Sequence, residues 1–233
     1  MDLTPYFKDL DFRLLFLDLD DVLNSVATCV AFGQYPWPNT ERENTHRDPN
    51  GYDPITGAWG TPVRNRQVNH VLKDPPVLNP ESFNPVCVRL VRNLCENTDT
   101  HIVLSSTWRQ GLNTDQIRVL LESIGLDPLR VIGRTCGGMS GWNRGMEIRD
   151  FMDRLLKDSA SLVEEGLLIK NLGGRILQAK SYVILDDCSD MLDTQHGNFV
   201  QVAHPDGLLL NDAVKAGKIL TDPEFNYLSL QCK

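Results

Sequence analysis

Aspartates directly follow two apolar segments of this 233-residue chain. They are Asp18, Asp20 and Asp21 after RLLFL, and Asp186 and Asp187 after YVIL, with Asp190 just beyond. Two carboxylates ~4 Å apart repel by roughly 1 kcal/mol in water and by about 4 kcal/mol at an effective dielectric of 20. A shared proton, a basic partner or a hard divalent cation offsets that repulsion. Because four or five carboxylates exceed what one arginine neutralises, the pattern favours Mg²⁺.

Hydroxyl and guanidinium groups follow other predicted strands. The segment HIVLSS ends in Ser105 and Ser106, and Arg109 lies close enough behind them to hold an anion. Arg134 and Arg144 also fall at or just after the expected strand edge, Arg144 where backbone amides at the start of a helix favour an anion. Carboxylates with a metal, a hydroxyl and an arginine form a set suited to phosphoryl transfer, with a nucleophile, an acid/base and positive groups on the phosphoryl oxygens.

Strand and helix patterns alternate along the chain. Short apolar runs predict buried strands at 13–19, 101–106, 129–133, 181–187 and, more weakly, 198–203. Helical periodicity covers 84–97, 113–125 and 143–158, the second with Asn113 or Thr114 as cap and Gly125 as stop. The apolar face of the third is expected to comprise Met146, Ile148, Phe151, Met152 and Leu155. This order predicts an α/β fold with a doubly wound parallel sheet, whose ligands bind beyond the carboxyl ends of the strands.

Residues 28–80 interrupt the alternation. They are rich in Pro, Gly, Asn and Trp without a clear period, which is typical of a lid or binding element. We therefore expect one domain, 1–233, with an irregular cap inserted after the first strand. The insertion contains Arg42, Arg47, Arg64 and Arg66: a basic groove formed by them would favour nucleic-acid ends, whereas an insertion that seals the site would favour small substrates.

The composition narrows the class of protein. The net charge of -8 argues against an extended nucleic-acid-binding surface, although it is compatible with binding a short end. The sequence contains no apolar run of the roughly 18 residues that a membrane span needs, and the amino terminus has no secretory signal pattern. We therefore expect a cytoplasmic protein without membrane partners. The six cysteines include no C-x-x-C pair and are expected to be reduced thiols.

Three segments together resemble the haloacid dehalogenase (HAD) superfamily of phosphohydrolases. LFLDLDDVLN resembles its motif I, HIVLSS is similar to motif II, and YVILDDCSD resembles the acidic motif IV. The combination of SSTWR, RGMEI and ILDD is most similar to the small HAD domains of phage and bacterial proteins associated with RNA repair. The resemblance covers roughly residues 12–27 and 85–220, and it implies a Rossmann-like HAD core.

The resemblance also implies roles for individual residues. Asp18 would attack phosphorus, and Asp20 would protonate the leaving oxygen and later activate water. The hydroxyl that binds a phosphoryl oxygen would be that of Ser105 or Ser106, and Arg109 and Arg134 would assist in substrate binding. The Mg²⁺ ligands would be Asp18, the backbone carbonyl of Asp20, Asp186 and Asp187. Arg144 takes the position where the superfamily usually has a lysine, with Lys170 and Lys180 as alternatives.

The patterns and the resemblance together imply a Mg²⁺-dependent phosphomonoester hydrolase, with a nucleotide or another small phosphomonoester as substrate; the aspartyl-phosphate intermediate is what the resemblance implies. A phosphatase for the 3' or 5' ends of nucleic acid is the alternative within this class. A non-catalytic HAD-fold binding protein is the alternative outside it, and the presence of both Asp18 and Asp20 counts against it. A nucleotide-triphosphate motor lacks support because the chain has no G-x-x-x-x-G-K-[ST], and a phospho-aspartyl receiver domain is about half this length.

Overall fold

The structure is a computed structural model that describes residues 12–25, 83–109, 112–137, 141–203 and 205–222, together with the backbone of two short strands in between. Its main sheet has five parallel strands in the order β5-β4-β1-β6-β7. Their bounds are β1 Phe12–Leu17, β4 Thr100–Leu104, β5 Val131–Arg134, β6 Ala179–Asp186 and β7 Phe199–Gln201. The short strands β2 (Tyr52–Asp53) and β3 (Ala58–Trp59) form a separate antiparallel pair.

Five α-helices accompany the sheet in the described part of the chain. They are α1 Pro85–Thr98, α2 Thr114–Ser123, α3 Arg144–Lys157, α4 Ser159–Glu164 and α5 Leu210–Thr221. Side chains of α1, α2 and α5 belong to one buried cluster, and side chains of α3 and α4 belong to another. Successive residues of a strand point to opposite faces, so Leu15 and Leu17 join the first cluster while Leu14 and Phe16 join the second. The sheet is therefore the middle of three layers, which confirms the predicted α/β fold with a parallel sheet.

The predicted element boundaries hold to within a few residues, and the local signals explain why. Asn113 caps α2, because its side chain accepts a hydrogen bond from the Gln116 amide while the Gln116 side chain accepts one from the Asn113 amide. Gly125 has a φ of +95°, which confirms it as the residue that stops this helix.

Some expectations for the helices were wrong or incomplete. Ile148, Phe151 and Leu155 are buried on α3 as predicted, but Met146 is 41% exposed, because Gly145 and Glu147 are the residues of the first turn that face the interior. The connection between α4 and β6 holds a short 3₁₀ helix at Lys170–Leu172, and α4 and α5 were not predicted.

The cap predicted for 28–80 lies outside the described residues, apart from the backbone of β2 and β3. Among the helices that are described, none combines the length and apolar character needed to cross a membrane.

Candidate active site

The register of the central strands brings three predicted site residues to one edge of the sheet. Leu17 is paired with Leu104 of β4 and with Leu185 of β6. The next backbone amides continue the ladder: Asp18 donates to the Leu185 carbonyl at 3.0 Å, and Ser105 donates to the Leu17 carbonyl at 2.8 Å. Asp18, Ser105 and Asp186 therefore stand side by side at the carboxyl ends of parallel strands, as predicted.

The guanidinium of Arg144 lies between two buried carboxylates. Its Nη1 atom is 3.5 Å from Oδ1 of Asp18 and 3.3 Å from Oδ2 of Asp186. The side chains of Asp18 and Asp186 are 5% and 0% exposed. Of the three basic residues considered for this position, Arg144 is the one that the structure brings to Asp18. Lys170 is exposed on the 3₁₀ helix, and Lys180 is at the amino end of β6, away from this edge.

Burial and mutual repulsion shape the protonation of these groups. Burial, followed by the charge of Asp186, raises the pKa of Asp18 well above its usual range, although Arg144 and a hydrogen bond from Ser106 act in the opposite direction. Burial likewise raises the pKa of Asp186 to about 6 against the effect of Arg144. Burial by itself lowers the pKa of Arg144, but the charges of Asp18 and Asp186 reverse this, so its pKa is raised. One arginine thus compensates the two buried acids only in part.

Asp20 is held by side-chain donors from two elements. Its Oδ1 atom accepts hydrogen bonds from Nε1 of Trp108 at 2.9 Å and from Nδ2 of Asn24 at 3.1 Å. Oδ2 lies 3.5 Å from the Thr107 hydroxyl. Asp21 is exposed and has a φ of +54°, so the chain turns there and carries its side chain away.

The two serines after β4 differ in their contacts. Ser106 hydrogen-bonds the Asp18 carboxylate, and its Oγ accepts a 3.4 Å hydrogen bond from the Trp108 amide. Ser105 is fully buried, and its Oγ has no hydrogen-bond partner among the described residues. A buried hydroxyl without a partner is costly, so Ser105 has a donor to offer to a ligand oxygen.

Contacts at the start of α3 fix the position of Arg144. The Asn143 side chain caps the helix, and Asp190 accepts the Arg144 amide at 3.1 Å through its carboxylate and the Gly145 amide at 3.3 Å through its carbonyl. Gln195 donates to the Gly145 carbonyl at 2.9 Å. The segment that follows β6 is thereby tied to the helix that carries Arg144.

Arg109 and Arg134, both predicted as substrate-binding residues, have other surroundings. Arg109 is 3% exposed and pairs with Glu147 of α3. Arg134 donates to the Thr135 carbonyl at 3.4 Å. Burial lowers its pKa, and the groups that oppose this effect are Cys136 and Glu165, not the carboxylates of the site. The structure therefore does not bring either guanidinium into contact with Asp18 or Asp186.

The donor set fits a hard divalent cation. Oδ1 of Asp18 and Oδ2 of Asp186 are buried without hydrogen-bond partners in the described part of the chain, and Arg144 alone faces both. Ligand atoms of Asp186, Asp187 and Cys188 lie within 4.8 Å of one another beside them. Carboxylate oxygens are the ligands that Mg²⁺ prefers. Asp18, Asp186 and Asp187 are thus suited to hold the predicted ion.

Comparison with known proteins assigns the chain to a family. Residues 14–213 match the family described as the HAD domain in Swiss Army Knife RNA repair proteins. The match spans most of the chain, and the parallel sheet with Asp18 at its carboxyl edge agrees with it, so this protein belongs to that family of HAD domains. Membership supports a phosphohydrolase associated with RNA repair. Searches of curated proteins and of solved structures gave no match.

Sequence reasoning missed several residues that hold the site together. The indole N–H of Trp108 donates to Asp20, a contact that the residue patterns do not predict. Asn24 and Glu147 were not singled out, although both are buried polar residues with a partner at the site. The sequence does contain one signal for the pair of Arg109 and Glu147. Glu147 falls within the apolar repeat of a helix, where a buried carboxylate requires a cation, and Arg109 of SSTWR is such a cation.

Proposed function

We propose that this protein is a Mg²⁺-dependent phosphomonoester hydrolase that removes a terminal phosphate from an RNA end through an aspartyl-phosphate intermediate. The observation that carries the proposal is the position of Arg144 between the buried carboxylates of Asp18 and Asp186, at the strand edge where Ser105 follows β4. A buried carboxylate, a hydroxyl donor without a partner and a guanidinium are the groups that an incoming phosphoryl group requires.

The residues would act in two steps. A carboxylate oxygen of Asp18 attacks phosphorus and the bond to the leaving oxygen breaks, while Asp20 gives that oxygen a proton. Asp20 then takes a proton from water, whose oxygen attacks phosphorus and displaces Asp18 as free carboxylate. Ser105 and Arg144 donate hydrogen bonds to the phosphoryl oxygens in both steps.

Asp18, the backbone carbonyl of Asp20, Asp186 and Asp187 would hold Mg²⁺. When bound, the ion would neutralise carboxylates and phosphoryl oxygens as a Lewis acid. Asp18 attacks only as the carboxylate, so a cation beside it would favour the reactive form by opposing the effects of burial and Asp186 on its pKa.

The substrate assignment rests on the family and on composition. The family description names RNA repair, which favours a phosphate at the 3' or 5' end of RNA. The net charge of -8 favours a small phosphomonoester such as a nucleotide, because long nucleic acid binds best to basic surfaces. A short end exposes few phosphates, so we give preference to the end phosphatase and treat the small substrate as the second candidate.

The test compares turnover across substrates and variants. Purified protein is incubated with 3'- and 5'-phosphorylated oligoribonucleotides, mononucleotides and an aryl phosphate, each with Mg²⁺ or EDTA. We expect phosphate release that requires Mg²⁺, is lost in Asp18→Asn and is retained in Asp21→Asn, whose side chain is exposed. Higher kcat/KM for mononucleotides than for oligonucleotide ends would select the small-substrate candidate. Equal inactivity of folded wild-type and Asp18→Asn protein on all substrates would contradict catalysis and favour a binding protein.

A further inference from the structure

The buried guanidinium of Arg109 connects three segments that border the site. Nη1 donates to the Ser105 carbonyl at 2.8 Å and to the Ser106 carbonyl, and Nε donates to the Cys136 carbonyl at 3.1 Å. Nη2 donates to the Glu147 carboxylate. A single side chain thus joins the end of β4, the segment after β5 and the first turns of α3.

These contacts leave Arg109 little capacity for a ligand. Its side chain is 4% exposed and that of Glu147 is 8% exposed, and Nε, Nη1 and Nη2 are all engaged. The backbone of Gly137 packs against the guanidinium, because a Cβ at this position would lie 3.4 Å from Nε of Arg109. Nη1 of Arg109 binds the Ser105 carbonyl, and the Ser105 amide binds the Leu17 carbonyl next to Asp18, so this ion pair adjoins the strand edge that carries the reacting groups.

We infer that Arg109 and Glu147 are positioning residues, which hold the serine hydroxyls after β4 and the guanidinium of Arg144 in the geometry that receives the phosphoryl group. Ser105 and Ser106 are the two residues whose carbonyls Arg109 binds. Glu147 lies one helical turn from Arg144 on α3, so the pair sets the distance between that helix and the strand end. This inference rests on the proposed function, because it assigns no substrate contact to Arg109.

A variant in which two apolar residues replace the ion pair distinguishes a role in positioning from a role in stability alone. Replacement of a buried ion pair by apolar residues of similar volume is often neutral or stabilising, whereas removal of one partner is strongly destabilising. The variant Arg109→Met with Glu147→Met leaves no unpaired charge, but it removes the donors of the Ser105 and Cys136 carbonyls, so we expect it to fold with a Tm somewhat below that of the wild type. Because a misplacement of about 1 Å can reduce turnover ~100-fold, we expect kcat to fall by roughly 10- to 100-fold with KM changed by less than about threefold.

Arg154→Met is the matched control. Arg154 lies on the same helix and pairs with Asp150 and Glu165, but it contacts none of the groups at the sheet edge. Its kcat and KM should equal those of the wild type. In Glu147→Gln the amide oxygen still accepts from Arg109, although the charge of Arg109 loses its partner. We therefore expect this variant to be less stable than the wild type, but to recover most of kcat relative to the apolar pair when it is folded.

Two kinetic results would overturn the inference. Unchanged kcat and KM in the apolar pair would show that Arg109 and Glu147 only stabilise the fold. A raised KM with unchanged kcat would show that Arg109 binds substrate directly.

A crystal structure of the double variant shows whether Arg109 and Glu147 position these groups, and it requires no activity measurement. We expect Arg144 to move away from its 3.3 Å contact with Asp186 and the serines to shift. If those groups stay in place, the inference is wrong even when the wild-type protein is active. If the wild-type protein is inert on every substrate, the proposed function fails, while the crystal structure still decides whether the pair positions these groups.

Discussion

At the scale of single residues, the two oxygens of Asp20 have different surroundings. Trp108 and Asn24 both donate to Oδ1, while Oδ2 has the Thr107 hydroxyl at 3.5 Å. The side chain of Asn24 also accepts a hydrogen bond from the Asp21 amide at 2.9 Å. The same asparagine therefore binds both Asp20 and the backbone of the turn after β1. A general acid must point at the leaving oxygen, and this network fixes which way Asp20 points.

Replacement of Trp108 by Phe tests that network. The ring packs against Phe83 with centroids 6.4 Å apart, and phenylalanine retains an aromatic ring while removing the N–H. A hydrogen bond to a charged group is worth about 1.5–3 kcal/mol, so we expect kcat to fall roughly tenfold on a ribose phosphate. The fall should be smaller on an aryl phosphate, whose leaving group needs no proton.

The control for this prediction is Phe83→Leu, which alters the packing but leaves the indole donor in place. It should affect both substrates alike. An equal loss on both substrates in Trp108→Phe would mean that Trp108 does not act through Asp20.

At the scale of elements, α3 positions Arg144 through close contact with the segment after β6. A Cβ on Gly145 would lie 2.6 Å from Oε1 of Gln195 and 2.6 Å from the Leu192 amide nitrogen. Only glycine allows the helix to start this close to the segment. Arg144 can reach both Asp18 and Asp186 because the helix starts there.

We expect Gly145→Ala to separate α3 from that segment. The steric conflict should reduce the free energy of unfolding by about 1–3 kcal/mol, and phosphatase activity should be largely lost because Arg144 moves. Urea unfolding and turnover on the same preparation measure both effects.

Gly217→Ala provides the matched control on α5. A Cβ at Gly217 meets Cδ1 of Leu94 at 3.6 Å, which is an ordinary contact. Because alanine is the better helix former by roughly 0.5–1 kcal/mol, this variant should be as stable as the wild type or more so. Equal stability of Gly145→Ala and the wild type would show that the close approach is not required.

At the scale of the whole molecule, buried titratable groups make stability depend on pH. His101 of β4 is 4% exposed, and burial lowers its pKa to about 4. Between pH 4 and about 6.5 the unfolded chain binds a proton there that the folded protein does not, so this residue makes stability rise with pH. The full effect is on the order of 3 kcal/mol. Asp186 acts in the opposite direction between its ordinary value of 3.8 and about 6, since its raised pKa favours the folded protein at lower pH.

The contribution of His101 is measured as a difference between variants. We expect the free energy of unfolding of the wild type minus that of His101→Phe to increase from pH 4.5 to pH 7, because only the wild type has the histidine. The aromatic replacement keeps the edge contact with the Phe12 ring, whose centroid is 6.2 Å from that of His101. Parallel curves for the two proteins would contradict a buried neutral histidine.

Binding of Mg²⁺ should stabilise the folded protein as a whole, since the unfolded chain has no assembled site. At a free concentration 100-fold above Kd the gain is about 2.7 kcal/mol, which at about 2–4 °C per kcal/mol gives a Tm increase of roughly 5–11 °C. Asp186→Asn should lose the response, and Asp153→Asn, on the exposed surface of α3, should keep it. A shift of equal size in both variants would place the ion elsewhere.

The sequence by itself determined the parallel α/β core and the residues at its carboxyl edge. Buried parallel strands are continuous apolar runs, so their ends, and with them Asp18, Ser105 and Asp186, are readable from local patterns. The motif order in the chain also led to the family that residues 14–213 confirm.

Only the tertiary structure decided what the arginines do. Arg109 and Arg144 have the same chemistry and similar positions after predicted strand ends, yet one is enclosed by Glu147 and backbone carbonyls while the other faces Asp18 and Asp186. The difference arises from contacts between segments far apart in the chain, such as Glu147 with Arg109 and Gln195 with Gly145. Local sequence patterns do not predict such contacts, because the direction of a long side chain depends on the elements that pack around it.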